Sequence, residues 1–233
     1  MSVKEHFLGI NKQFTEIIEA SFDADKEARI SISFQFVDDL CLWESTLDKS
    51  TDTTILVSAI NELELGFQAI VSGRYRYAFV AQRYFLEQIL RFIYLSTNEL
   101  HLRHWKLGMR DISWGSLIDN ENGVFSKVFI RAFFPEVDED GGQFSSLSSK
   151  LYRESSEFVH GNFEKISTIS TQIEYQPDML LKWIEYMETS KLIVHFLLFM
   201  RFSKDFSTED NVNFEAMAQE ELCGIDGFNC LFQ

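Results

Sequence analysis

The sequence predicts an all-α fold, an antiparallel bundle of about five to seven helices. Apolar residues recur at three- and four-residue steps in several long segments, which is the pattern of amphipathic helices. Sustained alternation of apolar and polar residues, which is typical of strands, is rare. Two prolines and 11 glycines in 233 residues leave little room for long linkers. Long helical segments joined by short turns therefore favour a bundle.

Residues 5–22 predict the first helix and residues 28–47 the second. The apolar positions of the first segment are Phe7, Ile10, Phe14, Ile17, Ile18 and Phe22. The second segment begins with alternation, as in a strand, and continues with helical spacing. We interpret it as a helix because the longer pattern is the more reliable one. The 23 phenylalanines of the chain indicate a core filled largely by aromatic rings.

Residues 53–71 and 74–97 predict two long helices that form a hairpin. Ser72 and Gly73 separate them, and a glycine at this place is typical of a helix C-terminus followed by a turn. Because the connection is so short, the two helices are expected to be antiparallel neighbours.

The middle of the chain predicts loops and one short helix. Residues 106–123 contain three glycines and indicate a loop-rich stretch. Residues 124–133 predict a short helix that ends near Pro135, after which an acidic turn follows. The β-branched residues of 166–177 predict an extended or looped segment.

Two further long helices are predicted in the second half of the chain. One begins at Ser145 or Ser146, either of which is a favourable N-cap, and Gly161 ends it. The other begins at Pro177, because proline suits the first turn of a helix, and continues to about Phe202. Residues 1–203 are thus predicted to form a single helical-bundle domain. The acidic segment that follows, 204–233, is predicted to be peripheral.

Composition argues against a secreted or membrane-bound protein. Charges and amides interrupt the apolar residues at the start of the chain, so no secretory signal is predicted. The longest apolar run, residues 192–200, contains a histidine, and it is far shorter than the roughly 20 residues of a membrane span. We interpret it as a buried helix segment.

The cysteines indicate a reducing compartment. Cys41, Cys223 and Cys230 are an odd number without a repeating spacing, so we expect reduced thiols in a cytoplasmic protein. A disulfide or half a metal site between Cys223 and Cys230 remains an alternative. His101 and His104 are close enough to share a helix face, but no cysteine or carboxylate completes a zinc set near them. Neither a metal nor a cofactor is predicted.

Charge is unevenly distributed along the chain. The net charge of −15 disfavours a nucleic-acid partner, yet residues 71–110 carry seven basic and only two acidic residues. Arginines alternate there with aromatic residues, as they do on surfaces that bind single-stranded RNA. Arg74, Arg76 and Arg83 are the candidate RNA-binding residues. The alternative is that the aromatic residues of this segment belong to the core.

The segment LYRESSEFVHG, residues 151–161, contains the candidate site. On a helical wheel its apolar side chains cluster on one side, whereas Arg153, Ser156 and His160 fall on another and Tyr152 lies at the border. Arg153 and His160 are seven residues apart, so they share a helix face about 10 Å apart along the axis. Both side chains could therefore contact one substrate or one partner subunit.

This arrangement resembles the HEPN superfamily of helical proteins, many of which are metal-independent ribonucleases marked by an arginine, four to six residues and a histidine. Six residues separate Arg153 from His160. The segment 151–161 is also similar to a helix ending in HEPN-like proteins of bacterial defence loci, which carries a tyrosine, a serine and a final histidine–glycine pair. Residues 83–95, RYFLEQILRFIYL, are similar to the Arg-x-x-x-Glu helix that often accompanies it.

The resemblance implies an endoribonuclease of a toxin or phage-defence system that acts as a homodimer without a metal ion. His160 would move protons between the attacking ribose 2′-hydroxyl and the leaving oxygen, and Arg153 would stabilise charge on the phosphate oxygens. Glu87 would orient one of these two residues. The supporting residues are expected to be Glu87, Tyr152 and Ser156.

Each of these residues also has a structural interpretation. A histidine in the last turn of a helix can bond free carbonyl oxygens and complement the helix dipole, which would explain His160. Arg153 can pair with Glu157, four residues further on. Glu87 can form an intrahelical ion-pair ladder with the arginines one turn before and one turn after it.

The second functional hypothesis is a catalytically inactive HEPN-like module for protein–protein interaction. It would serve as an immunity factor, a sensor or a scaffold, with its acidic surface facing a basic partner encoded in the same operon. Two observations favour it. Glu154 directly follows the candidate arginine and would repel a phosphate, and the net charge of the chain is strongly negative.

Overall fold

The computed structural model describes residues 1–49, 51–160 and 173–232, and these form an all-α helical bundle, as the sequence predicts. The α-helices are α1 Val3–Ser21, α2 Ala24–Leu47, α3 Thr54–Val71, α4 Tyr75–Leu95, α5 Glu99–Lys106, α6 Trp114–Leu117, α7 Lys127–Phe133, α8 Gly141–His160, α9 Pro177–Phe202 and α10 Thr208–Leu222. Short 3-10 helices cover Pro135–Val137, Ser203–Asp205 and Asp226–Phe232. Within the described ranges there is no strand. The short helices α5 and α6 lie in or beside the stretch predicted as loops.

The first two helices begin with side-chain caps that their sequences supply. Ser2 and Glu5 form a capping box at the start of α1, and the Asp23 side chain accepts a hydrogen bond from the Lys26 amide at the start of α2. The segment 28–47, ambiguous in sequence, lies entirely within α2. The segment forms a helix and not a strand because the residues that follow the helical spacing face the core.

Helices α3 and α4 form the predicted hairpin and make the most extensive helix–helix contact in the described part of the chain. Gly73 in the turn has a φ of 77°, a left-handed conformation that favours glycine. A Cβ atom there would also lie 3.0 Å from the Ile17 side chain of α1. The turn therefore accommodates α1 and reverses the chain at the same point.

Aromatic side chains connect the helices of the core. Helix α9 runs through it, and the predicted buried segment 192–200 is confirmed because all its residues from Ile193 onward are buried. Phe196 of α9 stacks on Phe144 of α8 at 3.8 Å between ring centroids. The ring of Trp43 of α2 meets Phe199 of α9 at 4.9 Å.

The C-terminal segment is not peripheral, and the sequence prediction of residues 204–233 is wrong in this respect. The core includes four of its side chains: Phe214, Ala218, Leu222 and Phe228. The ring centroid of Phe214 lies 4.3 Å from that of Trp43. Most acidic residues of this segment are exposed, whereas Glu221 of α10 is largely buried and pairs with Lys191 of α9 at 2.5 Å. The acidic composition of the segment therefore obscures a helix with a buried apolar side.

Helix α8 begins at Gly141, four residues before the predicted cap Ser145 and five before Ser146. Asp140 directly precedes it, and the Asp140 carbonyl oxygen accepts a hydrogen bond from the Phe144 amide at 3.2 Å. Gly141 is buried, and a Cβ atom there would lie 2.5 Å from the Phe125 carbonyl oxygen, so a larger residue would clash with this backbone. Its predicted end at Gly161 and most of the predicted loop 166–177 lie outside the described residues.

Helix α3 is the one described helix that is long and apolar enough to cross a membrane by length and composition. Half of it is buried inside the bundle, and core helices of soluble proteins pass the same test. Cys41 and Cys223 are exposed free thiols, and the side chain of Cys230 lies outside the described part of the structure.

Candidate functional site

Packing of α8 against α4 and α9 determines which of its side chains reach solvent. Phe158 stacks on Phe79 of α4 at 4.1 Å between ring centroids, and Leu151 is also buried. The opposite side of α8 carries Arg153 and His160, which are both exposed. Within the described part of the chain, the side chain of neither residue forms a hydrogen bond or an ion pair.

The predicted supporting residues gather around Arg83 of α4. The Arg83 Nε donates a hydrogen bond to Ser156 Oγ at 2.9 Å, and its Nη2 donates to the Tyr152 hydroxyl. Ser156 Oγ in turn donates to the Tyr152 carbonyl oxygen at 2.6 Å. Trp114 of α6 stacks on Tyr152 with ring centroids 3.8 Å apart. This cluster ties α8 to α4 and α6.

Glu87 contacts arginines of its own helix. Its carboxylate lies 3.0 Å from Arg91 Nη2 and 3.6 Å from Arg83 Nη2, so it forms the intrahelical ladder of the structural interpretation. The Glu87 side chain is only 15% exposed, as is typical of a carboxylate held between two cations. Through Arg83 it supports the contact with α8, and no contact joins it to Arg153 or His160 among the described residues.

Arg76 occupies the carbonyl end of α8. Its Nε donates to the Phe158 carbonyl oxygen at 3.0 Å and its Nη2 donates to that of Val159 at 3.3 Å. Two of the last four carbonyl groups of the helix are therefore satisfied by an arginine from α4. The structural interpretation of His160 is that it caps this helix end, and Arg76 already provides that function.

Arg74 and Arg83 lie along a cleft of about 600 Å³ between α3 and α4. Arg74 is exposed at the start of α4, and its guanidinium lies 4.2 Å from the ring centroid of Phe14 in α1. Val159 of α8 lines the same cleft. Of the three arginines predicted to bind RNA, Arg74 and Arg76 are exposed and Arg83 is partly buried. The guanidinium groups of Arg76 and Arg83 contact α8.

Glu154 is turned toward α9. Its carboxylate accepts a hydrogen bond from the Tyr186 hydroxyl. Burial of Tyr186, together with this bond, raises the pKa of its hydroxyl well above the ordinary value. The Glu154 carboxylate, which directly follows Arg153 in the sequence, is therefore already hydrogen-bonded to Tyr186 within the fold.

Sequence reasoning misses Trp114, Tyr186 and the capping role of Arg76. Trp114 belongs to a four-residue helix within a stretch that reads as loop, and no periodicity links it to Tyr152. Tyr186 lies on α9, and the apolar pattern of this helix predicts which residues are buried but not the hydrogen bond with Glu154. The contacts of all three join segments distant in sequence, and no local pattern predicts them.

Among the described residues, no group of three or more histidine, cysteine, aspartate or glutamate side chains could hold a metal ion. Comparison of the chain with protein-family models, curated proteins and solved structures finds no match. The geometry of the site is thus the basis for assigning a function. Chemically, the exposed face of α8 offers an imidazole that can exchange protons and a guanidinium that can bind an anion.

Proposed function

We propose that this protein is a metal-independent endoribonuclease whose site lies on the exposed face of α8. One observation carries the proposal: Arg153 and His160 are exposed together on this face without an internal partner among the described residues, while Arg76 caps the helix end. An arginine without an internal partner is available to an external anion. A histidine that is not needed as a cap is available for proton transfer.

In the proposed reaction, His160 takes the proton of a ribose 2′-hydroxyl, whose oxygen attacks the adjacent phosphorus. The bond from phosphorus to the 5′-oxygen breaks, and the proton returns to that oxygen. The products are a 2′,3′-cyclic phosphate and a 5′-hydroxyl. Arg153 stabilises the additional negative charge on the phosphate oxygens, for which its planar fork of donors is suited.

The orientation of Glu154 supports the proposal. A free carboxylate beside Arg153 would either repel the phosphate or pair with the guanidinium. Its hydrogen bond with Tyr186 directs this carboxylate toward α9. The exposed face retains Arg153 and His160, which fit an anionic substrate.

A single Arg–His pair is a sparse site for phosphodiester cleavage, so we propose that two copies act together. In a two-fold dimer with α8 at or near its interface, the two exposed faces would supply two arginines and two histidines. Light scattering at micromolar concentration tests this directly. A strict monomer would contradict the dimeric site.

The second candidate is a non-catalytic interaction module, and a specific observation favours it. Tyr152, Ser156 and Glu87 contact Arg83, and these contacts account for them structurally without reference to a substrate. The acidic chain would bind a basic protein, with a product of the same operon as the proposed partner. A neighbouring gene for a small antitoxin or a nucleotidyltransferase would favour the nuclease instead.

The test is incubation of the purified protein with total RNA, with and without EDTA. We expect cleavage in both conditions, and a loss of about 100-fold or more in His160→Ala, because a positioned general acid–base contributes at least that much. Arg153→Lys should be severely impaired, since lysine loses the two-pronged contact with phosphate. Neither substitution should change thermal stability appreciably.

Matched controls are His104→Ala and Arg103→Lys in α5, and both should retain full activity. Arg103 is exposed, and its ion pair among the described residues is with Glu99 of its own helix. If the wild type cleaves no RNA and Glu154→Asn does not activate it, the nuclease is rejected and the interaction module remains.

A further inference from the structure

The cleft between α3 and α4 has an exposed aromatic lining of two tyrosines, Tyr77 and Tyr84, and the Tyr84 hydroxyl also accepts a hydrogen bond from Gln88 Nε2 at 2.8 Å. Tyr77 is 68% exposed and Tyr84 38% exposed, and both line the cleft. Other aromatic residues of α4, such as Phe79 and Phe85, are fully buried. Exposed aromatic side chains grouped in one cleft are characteristic of binding sites.

The two tyrosines lie on one face of α4. They are seven residues apart, so their Cα atoms are separated by about 10 Å along the helix axis. Val80, between them, also lines the cleft, and Leu65 forms part of the opposite wall on α3. A flat ligand can therefore contact either ring while resting on an apolar floor.

An anion fits the charge of this cleft better than it fits the net negative charge of the chain as a whole. Arg74 lies at one end, exposed at the start of α4, and Arg83 also lines the cleft, although its guanidinium is bound to α8 and paired with Glu87. Glu62 is the acidic residue that lines it. The lining residues thus include two arginines, of which Arg74 is exposed and not paired with a carboxylate among the described residues, in a chain whose net charge is −15.

A second, larger groove between α2 and α3 provides a contrast. It has a volume of about 950 Å³ and an apolar lining that includes Phe22 and Phe34. Its charged lining residues are Asp38 and Glu64, and it has no lysine or arginine among the described residues. Nothing in the structure shows what covers it, and its charge disfavours a nucleic acid.

We propose that the α3–α4 cleft binds unpaired bases of single-stranded RNA, with Tyr77 and Tyr84 as stacking platforms and Arg74 as a phosphate contact. This inference rests on the proposed ribonuclease function and specifies its substrate. Aromatic rings stack only on bases whose faces are free, and in a duplex these faces are covered by neighbouring base pairs. The cleft therefore selects unpaired RNA.

The position of the cleft relative to α8 connects binding with cleavage. Val159 lines the cleft, and the next residue in the chain is His160. We expect a strand whose bases lie on the tyrosines to reach the end of α8 that carries the proposed catalytic histidine. Bound bases thus determine which phosphodiester reaches the exposed face of α8.

The test measures binding apart from cleavage, in a His160→Ala background. Fluorescence anisotropy compares a short labelled single-stranded RNA with the blunt duplex of the same sequence. We expect the single strand to bind more tightly, and Tyr77→Ala and Tyr84→Ala each to weaken it about tenfold, given the usual strength of base stacking. The conservative variants Tyr77→Phe and Tyr84→Phe should bind like the parent.

Control variants come from exposed rings elsewhere. Phe7→Ala in α1, where the ring is 60% exposed, matches Tyr77→Ala, and Phe34→Ala, at 42% exposed, matches Tyr84→Ala. Both controls should leave affinity unchanged. Arg74→Gln should reduce the slope of log affinity against log salt by about 0.7, the contribution of one phosphate contact on a single strand.

Different outcomes separate this inference from the proposed function. Tyrosine-dependent binding without cleavage by the wild type supports the cleft and rejects the nuclease. Cleavage by the wild type with affinity unchanged in Tyr77→Ala and Tyr84→Ala rejects the cleft alone. Equal binding of the duplex, or no binding at all, also overturns the inference. A change of molecular mass in the tyrosine variants, measured by light scattering, would identify the cleft as a protein interface and overturn it as well.

Discussion

Replacing Arg83 with methionine should destabilise the protein, whereas the same replacement of Arg153 should not. Arg83 is 21% exposed in its side chain and donates hydrogen bonds to Ser156 and Tyr152. Hydrogen bonds from charged donors contribute about 1.5–3 kcal/mol each, and partial exposure and the apolar packing retained by methionine reduce the loss. We expect Arg83→Met to lower the free energy of unfolding by about 2–3 kcal/mol.

Arg153→Met is the matched control, because the exposed Arg153 side chain has no partner among the described residues. Its effect should stay within about 0.5 kcal/mol. Urea denaturation followed by far-ultraviolet circular dichroism measures both values, and a melt should show Arg83→Met unfolding about 4–12 °C earlier. A double-mutant cycle with Tyr152→Phe should give a coupling energy of about 1 kcal/mol. Equal stabilities of the two arginine variants would refute the cluster around Arg83.

Two further predictions concern the core and the response to pH. Phe214→Ala should cost about 3–5 kcal/mol of unfolding free energy, because its ring packs on Trp43, whereas Val212→Ala on the exposed side of α10 should cost less than about 0.5 kcal/mol. Similar losses in urea denaturation would contradict the burial of α10. Tyr186 has a raised folded-state pKa, so its stabilising contribution is complete below about pH 10 and declines as the pH rises further. The stability difference between wild type and Tyr186→Phe should therefore shrink above about pH 10, and a constant difference would disprove this linkage.

Local periodicity predicts most of the fold. It identifies α2 to α4, each of which buries one side and exposes another, and α1, which buries Ile17 and Ser21. Helix α9 is identified by Pro177 and by its long apolar run, which is buried on all sides from Ile193 onward. The start of α8 at Gly141 is missed because the predicted caps are the later serines, although Asp140, a residue type that favours the N-cap, directly precedes Gly141. The buried side of α10 is missed because its acidic residues dominate the composition, although Phe214, Ala218 and Leu222 follow helical spacing.

The candidate site is predicted only in part. A helical wheel correctly places Arg153 and His160 on the solvent side of α8, since the apolar residues opposite them fix the rotation of the helix. It cannot show that Arg83 binds Tyr152 and Ser156, because hydrogen bonds between helices depend on tertiary packing. For the same reason the sequence does not reveal that Arg76 replaces His160 as the cap.

The three-residue connection between α3 and α4 has a kinetic consequence. Their extensive contact joins residues close in sequence, so little loop entropy is lost when it forms. The hairpin is therefore expected to form early in folding, ahead of the contacts of α9 and α10 with Trp43 of α2, which join residues more than a hundred positions apart. Substitutions at the α3–α4 contact should mainly slow folding, and substitutions in α10 should mainly accelerate unfolding.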